Sequence, residues 1–276
     1  MPSIHIADTE ACSSCGLRTC TACDVVERKS FATFKSERDT CPRKILANGP
    51  DDKMLELARI DSESRADAEC IYCYICVDRC SQGNLTIEGY DFDTEADFAS
   101  LRAADSQQAN ALANIIASSY LNSLFDFAAN TTLNRSVSFD GVVYDKEGRA
   151  YFVEVDSNDD SLESFRRLLG DIATHNAKPS EQPIEAGIMV LSNLPKAGSR
   201  DVYTLADKVK AFPGTSNVKV YVTTFKLLRH FMLNIDKNEE AVSTLFFEIV
   251  NEKPQEYIDR LVDRKLLDYE YAIVQF

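Results

Sequence analysis

Two sets of residues in this chain have the types and the spacing to do chemistry. The first is Cys70, Cys73, Cys76 and Cys80, four thiols at steps of three, three and four with mostly apolar residues between them. Cys12, Cys15, Cys20, Cys23 and Cys41 lie upstream, so all nine cysteines fall within the first 80 residues. Thiolates packed this closely suit soft metals. An iron–sulfur cube takes one thiolate per iron, each from a different direction, whereas zinc takes four in a tetrahedron. A zinc site draws on two Cys-x2-Cys knuckles separated by roughly a dozen residues or more, and a third cysteine inside one knuckle has no use there. The second set is Asp140, Glu154 and Asp156. Carboxylates are hard oxygen ligands, suited to Mg²⁺ or Mn²⁺.

The 70–80 run has the Cys-x2-Cys-x2-Cys-x3-Cys spacing of bacterial ferredoxins. Cys41 is followed by Pro42, and both Cys41 and Cys80 are followed five residues later by a leucine, Leu46 and Leu85. A glycine comes eight or nine residues after each cysteine, Gly49 and Gly89. The two copies resemble the cysteine, turn, short strand and glycine that close each half of a two-cluster ferredoxin, over about residues 4–90. The resemblance implies two 4Fe–4S clusters. Cys70, Cys73 and Cys76 would hold one with Cys41, and Cys12, Cys15 and Cys20 the other with Cys80. Cys23 is then the spare, although the first loop leaves Cys20 and Cys23 as alternatives. Tyr72 and Tyr74, beside the thiols, would shield a cluster from water. The segment 51–69 separates the halves, and Met54, Leu55, Leu57, Ala58 and Ile60 give it an amphipathic helical pattern.

The carboxylates need elements to hold them. Leu101, Leu112, Ile115, Ile116, Leu121, Leu124 and Phe125 recur at helical steps, predicting a long helix over about 100–129. The period then changes to two. Residues 136–145 read as a strand, Lys146 to Gly148 as a turn, and 149–156 as the returning strand. A helix from Leu162 to about His175, a strand at 184–194, a helix at 201–211 and a strand at 218–223 complete an α/β sandwich around a mixed sheet. Glu154 and Asp156, two apart on one strand, share a face, and Asp140 can come alongside from the next strand. This order resembles the PD-(D/E)xK, or restriction-endonuclease-like, nuclease superfamily over about residues 105–225. The resemblance implies that Asp140 and Glu154 bind Mg²⁺ or Mn²⁺ and that Asp140, Glu154 and Asp156 form the catalytic set. Asp156 stands where that family usually places a lysine, and Arg166, Arg167 or Lys178 are the candidates to supply the missing positive charge.

The domain plan expected is therefore a ferredoxin-like domain at 1–90, an acidic linker at 91–104, the nuclease-like domain at 105–225 and a mainly helical extension at 226–276. The last residues, 269–276, alternate weakly enough to suggest an edge strand. His5, His175 and His230 form no dyad with a nucleophile, and Gly141, Gly148 and Gly170 are too scattered for a phosphate loop.

With 45% hydrophobic and 27% charged residues the composition is that of a soluble globular protein. A formal charge of −14 argues against a broad electrostatic footprint for nucleic acid, while leaving room for a local one. Clustered cysteines in odd number fit a reducing cytoplasm better than a disulfide scaffold, and no apolar run has the length of a membrane span. Two functions are expected from these residues. One is a metal-dependent nucleic-acid phosphodiester hydrolase, or a DNA-processing or defence subunit, whose clusters are structural or redox-sensing. The other is an electron-transfer subunit whose C-terminal domain is an inactive docking platform. The partners expected are nucleic acid and a protein partner or second copy, with no membrane.

Overall fold

The computed structural model of the chain describes residues 3–6, 46–48, 55–57, 73–78, 80, 83, 85–92, 113–114, 116–121, 124–128, 140–157, 162–178, 183–184, 186–196, 200–210, 217–235, 240–249 and 252–273. The chain divides into two compact units. Unit 1 holds Met1–Arg28 and Thr33–Ala96, and unit 2 holds Lys29–Ala32 and Asp97–Phe276. No helix among the described residues is long and apolar enough to cross a membrane.

In unit 1, β1 (Ser3–Ile6) pairs antiparallel with β4 (Leu85–Glu88), and β2 (Leu46–Asn48) pairs antiparallel with β3 (Leu55–Leu57). The helical pattern read over residues 54–60 is corrected here, because Leu55 to Leu57 form a strand. Three residues carry too little period to separate the two conformations, and pairing with Leu46–Asn48 decides it. A single helical turn, α1 (Ile75–Asp78), follows Tyr74, whose φ of +60° is left-handed. That conformation costs a tyrosine roughly 1–2 kcal/mol. Packing offsets the cost: the Tyr74 ring meets Phe92 edge-on at 5.5 Å, and its hydroxyl donates to the Tyr90 carbonyl at 2.8 Å.

Unit 2 is built on a six-stranded mixed sheet. β5 (Asp126–Ala128), β6 (Gly141–Tyr144) and β7 (Ala150–Asp156) run antiparallel to one another. β8 (Ala186–Leu191) and β9 (Lys219–Thr224) continue parallel to β7, and β10 (Phe247–Glu248) closes the edge antiparallel to β9. Parallel neighbours need crossover connections of about a dozen residues or more. α2 (Leu162–Asn176) and α3 (Arg200–Lys210) provide them. Every residue of β7 and β8 is buried, as expected of strands covered on both faces.

The β6–β7 turn is fastened by Asp145. Its carboxylate accepts from the backbone N–H groups of Glu147 and Arg149, from Arg149 Nε and from the Tyr151 hydroxyl. Burial pushes this carboxyl up, but the Arg149 and Tyr151 bonds outweigh it and hold it below the ordinary value. Gly148 takes φ +76° to complete the turn.

Residues 116–121 are helical, but the long helix expected to reach Ala129 does not; Asp126–Ala128 form strand β5 against Val142–Tyr144. The segment 226–276 is likewise part of unit 2 rather than an appended extension. It includes α4 (Phe225–Asn234), α5 (Val242–Leu245), β10, α6 (Pro254–Asp263) and α7 (Tyr269–Ile273). The edge strand expected at 269–276 is thus helix α7 over its described part. Thr224 Oγ1 caps α4 by accepting from the Leu227 N–H, and in the core Phe246 stacks on Phe231 and meets Phe125 edge-on. Arg260 binds Glu252 and donates to the carbonyls of Thr244 and Phe246, tying α6 to the chain that enters β10.

α2 buries Phe165, Leu168, Leu169, Ile172 and His175 against the sheet. Its depth depends on Gly187 of β8, where a Cβ would stand 2.5 Å from Leu168 Cδ2 and 2.8 Å from Cγ. Asn176 clasps the chain at the far end, accepting from the Ile184 N–H and donating to the Ile184 carbonyl, both at 2.8 Å. Gly187→Ala should lower the unfolding free energy by about 1–3 kcal/mol in urea titrations, because Leu168 is fully buried and has nowhere to withdraw. A loss below about 0.5 kcal/mol, the range of neutral surface changes, would mean that α2 rides over the added methyl.

Candidate functional site

Asp140 immediately precedes β6. Its N–H donates to the Val153 carbonyl at 3.0 Å, one step beyond the Gly141–Val153 pair, which sets it beside Glu154 on the neighbouring strand. Both of its carboxylate oxygens are held: Oδ1 accepts from Asn114 Nδ2 at 2.7 Å and Oδ2 from the Val155 N–H at 2.8 Å.

Glu154 and Asp156 point to one face of β7, and α2 lies over them. The Arg167 guanidinium forms an ion pair with Glu154, and the Ser164 hydroxyl donates to Asp156 Oδ2. Two strand residues span ~6.6 Å and three helical residues ~4.5 Å along their axes, so a helix running back along β7 can meet both carboxylates from one face. Glu154 is 1% exposed and Asp156 5%, while the Arg167 side chain is 48% exposed.

Three carboxylates face one described guanidinium here, and the charge shows in Asp140. Burial pushes its carboxyl above the ordinary value. The Val155 N–H, the Asn114 amide and Arg167 pull the other way, and Asp156 adds repulsion. At this site Oε2 of Glu154 and Oδ1 of Asn114 are buried without a hydrogen-bond donor among the described residues. No group of three or more His, Cys, Asp or Glu side chains among the described residues converges tightly enough to enclose a metal ion. Any cation held here would rest on one or two carboxylates and complete its shell with water or substrate oxygens.

Of the three cations that the sequence offers, the structure places Arg167 on the carboxylates. Arg166 turns to Glu163 at 3.8 Å with both side chains largely exposed, and Lys178 follows the end of α2 with its amine buried. Asn114 and Ser164 are not evident from the sequence; the only trace of Asn114 is an amide among the apolar residues of the expected helix. His175 packs on Phe152 and His230 on Tyr271, with ring centroids 5.1 and 4.5 Å apart.

In unit 1, Cys73 is buried and Cys80 half-buried. Cys76 lies in α1, its side chain outside the described residues, and Cys12, Cys15, Cys20, Cys23, Cys41 and Cys70, with Tyr72, lie outside them altogether. The two ribbons are described, and the cysteines stand at these positions relative to them along the chain. β1 and β4 are paired at Ile6 and Leu85, and the chain runs from Ile6 toward Cys12 and arrives at Leu85 from Cys80. β2 and β3 are paired at Leu46 and Leu57, and the chain arrives at Leu46 from Cys41 and leaves Leu57 toward Cys70. Compared with known proteins, the chain matches no family model, no curated protein and no solved structure.

The state of Asp140 leads to a pH-dependent prediction. A carboxyl raised by folding holds its proton more tightly in the native state than in the unfolded chain. Its ionisation therefore destabilises the protein as the pH rises through the raised value. In EDTA, Asp140→Asn should be more stable than wild type near neutral pH, with the gain shrinking as the pH falls toward about 4, where the unfolded carboxyl also protonates. Urea midpoints for the two proteins across that range are the measurement. No gain at neutral pH would show that the ionised carboxyl is well accommodated.

Proposed function

We propose that unit 2 carries a divalent-cation-dependent nuclease site of the PD-(D/E)xK kind, and that unit 1 is a two-cluster 4Fe–4S module with a structural or redox-sensing role. The observation that carries the first half is the juxtaposition of Asp140 and Glu154 on adjacent strands, with Asp156 two residues on and a guanidinium from the next helix against them.

A hard cation fits this donor set, since the described carboxylates outnumber their described counter-charges and Glu154 Oε2 is buried without a donor. Asp140 and Glu154 would hold it, leaving positions for water and a phosphate oxygen. Bound there, it would polarise the phosphodiester and acidify the attacking water. The chain's own residues supply the rest. Asn114 and the Val155 N–H fix the Asp140 carboxylate, Ser164 fixes Asp156, and Arg167 brings positive charge to a site whose family lysine is replaced by Asp156. The overall charge of −14 confines substrate contact to this local feature. The expected result is cleavage of DNA or RNA with Mg²⁺ or Mn²⁺ that falls at least ~100-fold in Asp140→Ala and Glu154→Ala, a loss typical of removing a catalytic electrostatic group. Equal cutting by the variants would exclude the site.

For unit 1, support comes from the two ribbons. Each gives the strand that begins five residues after a cysteine, β2 after Cys41 and β4 after Cys80. In the two-cluster reading, Cys41 would share a cluster with the 70–76 thiols and Cys80 with the 12–20 thiols, the cross-sharing of ligands that such a module uses. Tyr74, between Cys73 and Cys76, is left-handed. The repeat also favours the second reading, an electron-transfer subunit with unit 2 as docking platform, since bracing a fold needs one cluster and carrying electrons gains from two. Anaerobically purified protein should be brown, absorb broadly near ~400 nm and contain iron and sulfide in equal amounts. Stoichiometric zinc in colourless protein would overturn the cluster assignment while leaving the nuclease test intact.

A further inference from the structure

We propose that Arg167 is an exchangeable internal counter-ion: it neutralises Glu154 when no divalent cation is present, and is released to a substrate phosphate when one binds. The inference rests on the divalent-cation reading of the same site.

The two partners of this ion pair differ in mobility. The Glu154 side chain is 1% exposed and fixed within β7, whereas that of Arg167 is 48% exposed at the end of a long stem from α2. Glu154 cannot leave; Arg167 can. A buried carboxylate without counter-charge is strongly unfavourable, and Glu154 Oε2 has no hydrogen-bond donor among the described residues. Some cation must therefore stand against Glu154, and in this conformation it is the guanidinium. A divalent ion at the same oxygens would satisfy that requirement and repel the guanidinium from it. The released group has a local alternative, because Glu163 lies four residues earlier on α2 with an 82% exposed side chain. It also has a better one. The guanidinium fork fits two phosphate oxygens at once, and a phosphodiester drawn to the cation would arrive within its reach.

Cation and phosphodiester binding are then coupled through one side chain, and the coupling is reciprocal. Without the cation the same arginine is occupied by Glu154, so the site has low affinity for the phosphate backbone.

The test is titration of Mn²⁺ into the anaerobically purified full chain, followed by calorimetry and by the loss of the free-ion paramagnetic signal. It compares wild type, Arg167→Gln and Glu154→Gln, with circular dichroism as the control for folding. Arg167→Gln should bind Mn²⁺ about tenfold more tightly, since its competitor for Glu154 is gone, an advantage of ~1.4 kcal/mol. Glu154→Gln should bind it weakly or not at all. A short phosphorothioate oligonucleotide should bind wild type several-fold more tightly when Mn²⁺ is added, and Arg167→Gln should lose that enhancement. Equal Mn²⁺ affinity in wild type and Arg167→Gln, or weaker binding in the variant, overturns the exchange while leaving the cation site in place. No Mn²⁺ binding by any of the three overturns the cation reading and the exchange with it.

Discussion

Burying Glu154 and Asp156 in the C-terminal half of a fully covered strand is the constraint on which the arrangement of unit 2 depends. An ionised carboxylate in such a place costs several kcal/mol unless it is paired or hydrogen-bonded. The helix that covers β7 therefore cannot be apolar along its whole inner face. Ser164 and Arg167 interrupt its stripe where the carboxylates lie, while Phe165, Leu168, Leu169 and Ile172 make the rest of the contact. The same strand must also stay fixed against β6, because the Val155 N–H and the Asn114 amide locate Asp140 with respect to Glu154. An apolar core would be easier to build. Retaining three acids there is what the proposed cation site would require.

Much of this frame is legible in the amino-acid sequence. The alternation on either side of Lys146 to Gly148 marks β6 and β7, and the stripe from Leu162 to His175 marks α2, because each element is long enough to display its period. β3 and β5 are three residues each and display none. Their conformation comes from the partner strand rather than from local preference. The end of the chain misleads for a related reason: Tyr269–Ile273 alternates weakly, yet Tyr271 donates to the Lys226 carbonyl and Ala272 is buried as part of a helix.

The site divides in the same way. Asp140, Glu154 and Asp156 are visible as acids in a period-two pattern. The choice of Arg167 over Arg166 is not, because it depends on the rotation and depth of α2 over β7, and these are set by remote contacts such as Leu168 on Gly187. Asn114 is a purely tertiary neighbour, 26 residues from Asp140 along the chain. In unit 1 the thiol spacing is local and legible, whereas the pairing of Leu46–Asn48 with Leu55–Leu57 is set by the partner strand.

The two outermost strands of the sheet are also its shortest, three residues in β5 and two in β10. The inner strands, rich in valine, isoleucine and aromatic side chains, would form an aggregation template if their hydrogen-bonding rims were open. Capping each rim with a stub leaves only a few backbone groups for a foreign strand to join, and mutual repulsion between chains of charge −14 adds to that barrier. Short edges of this kind are one of the ways in which sheets limit the addition of foreign strands.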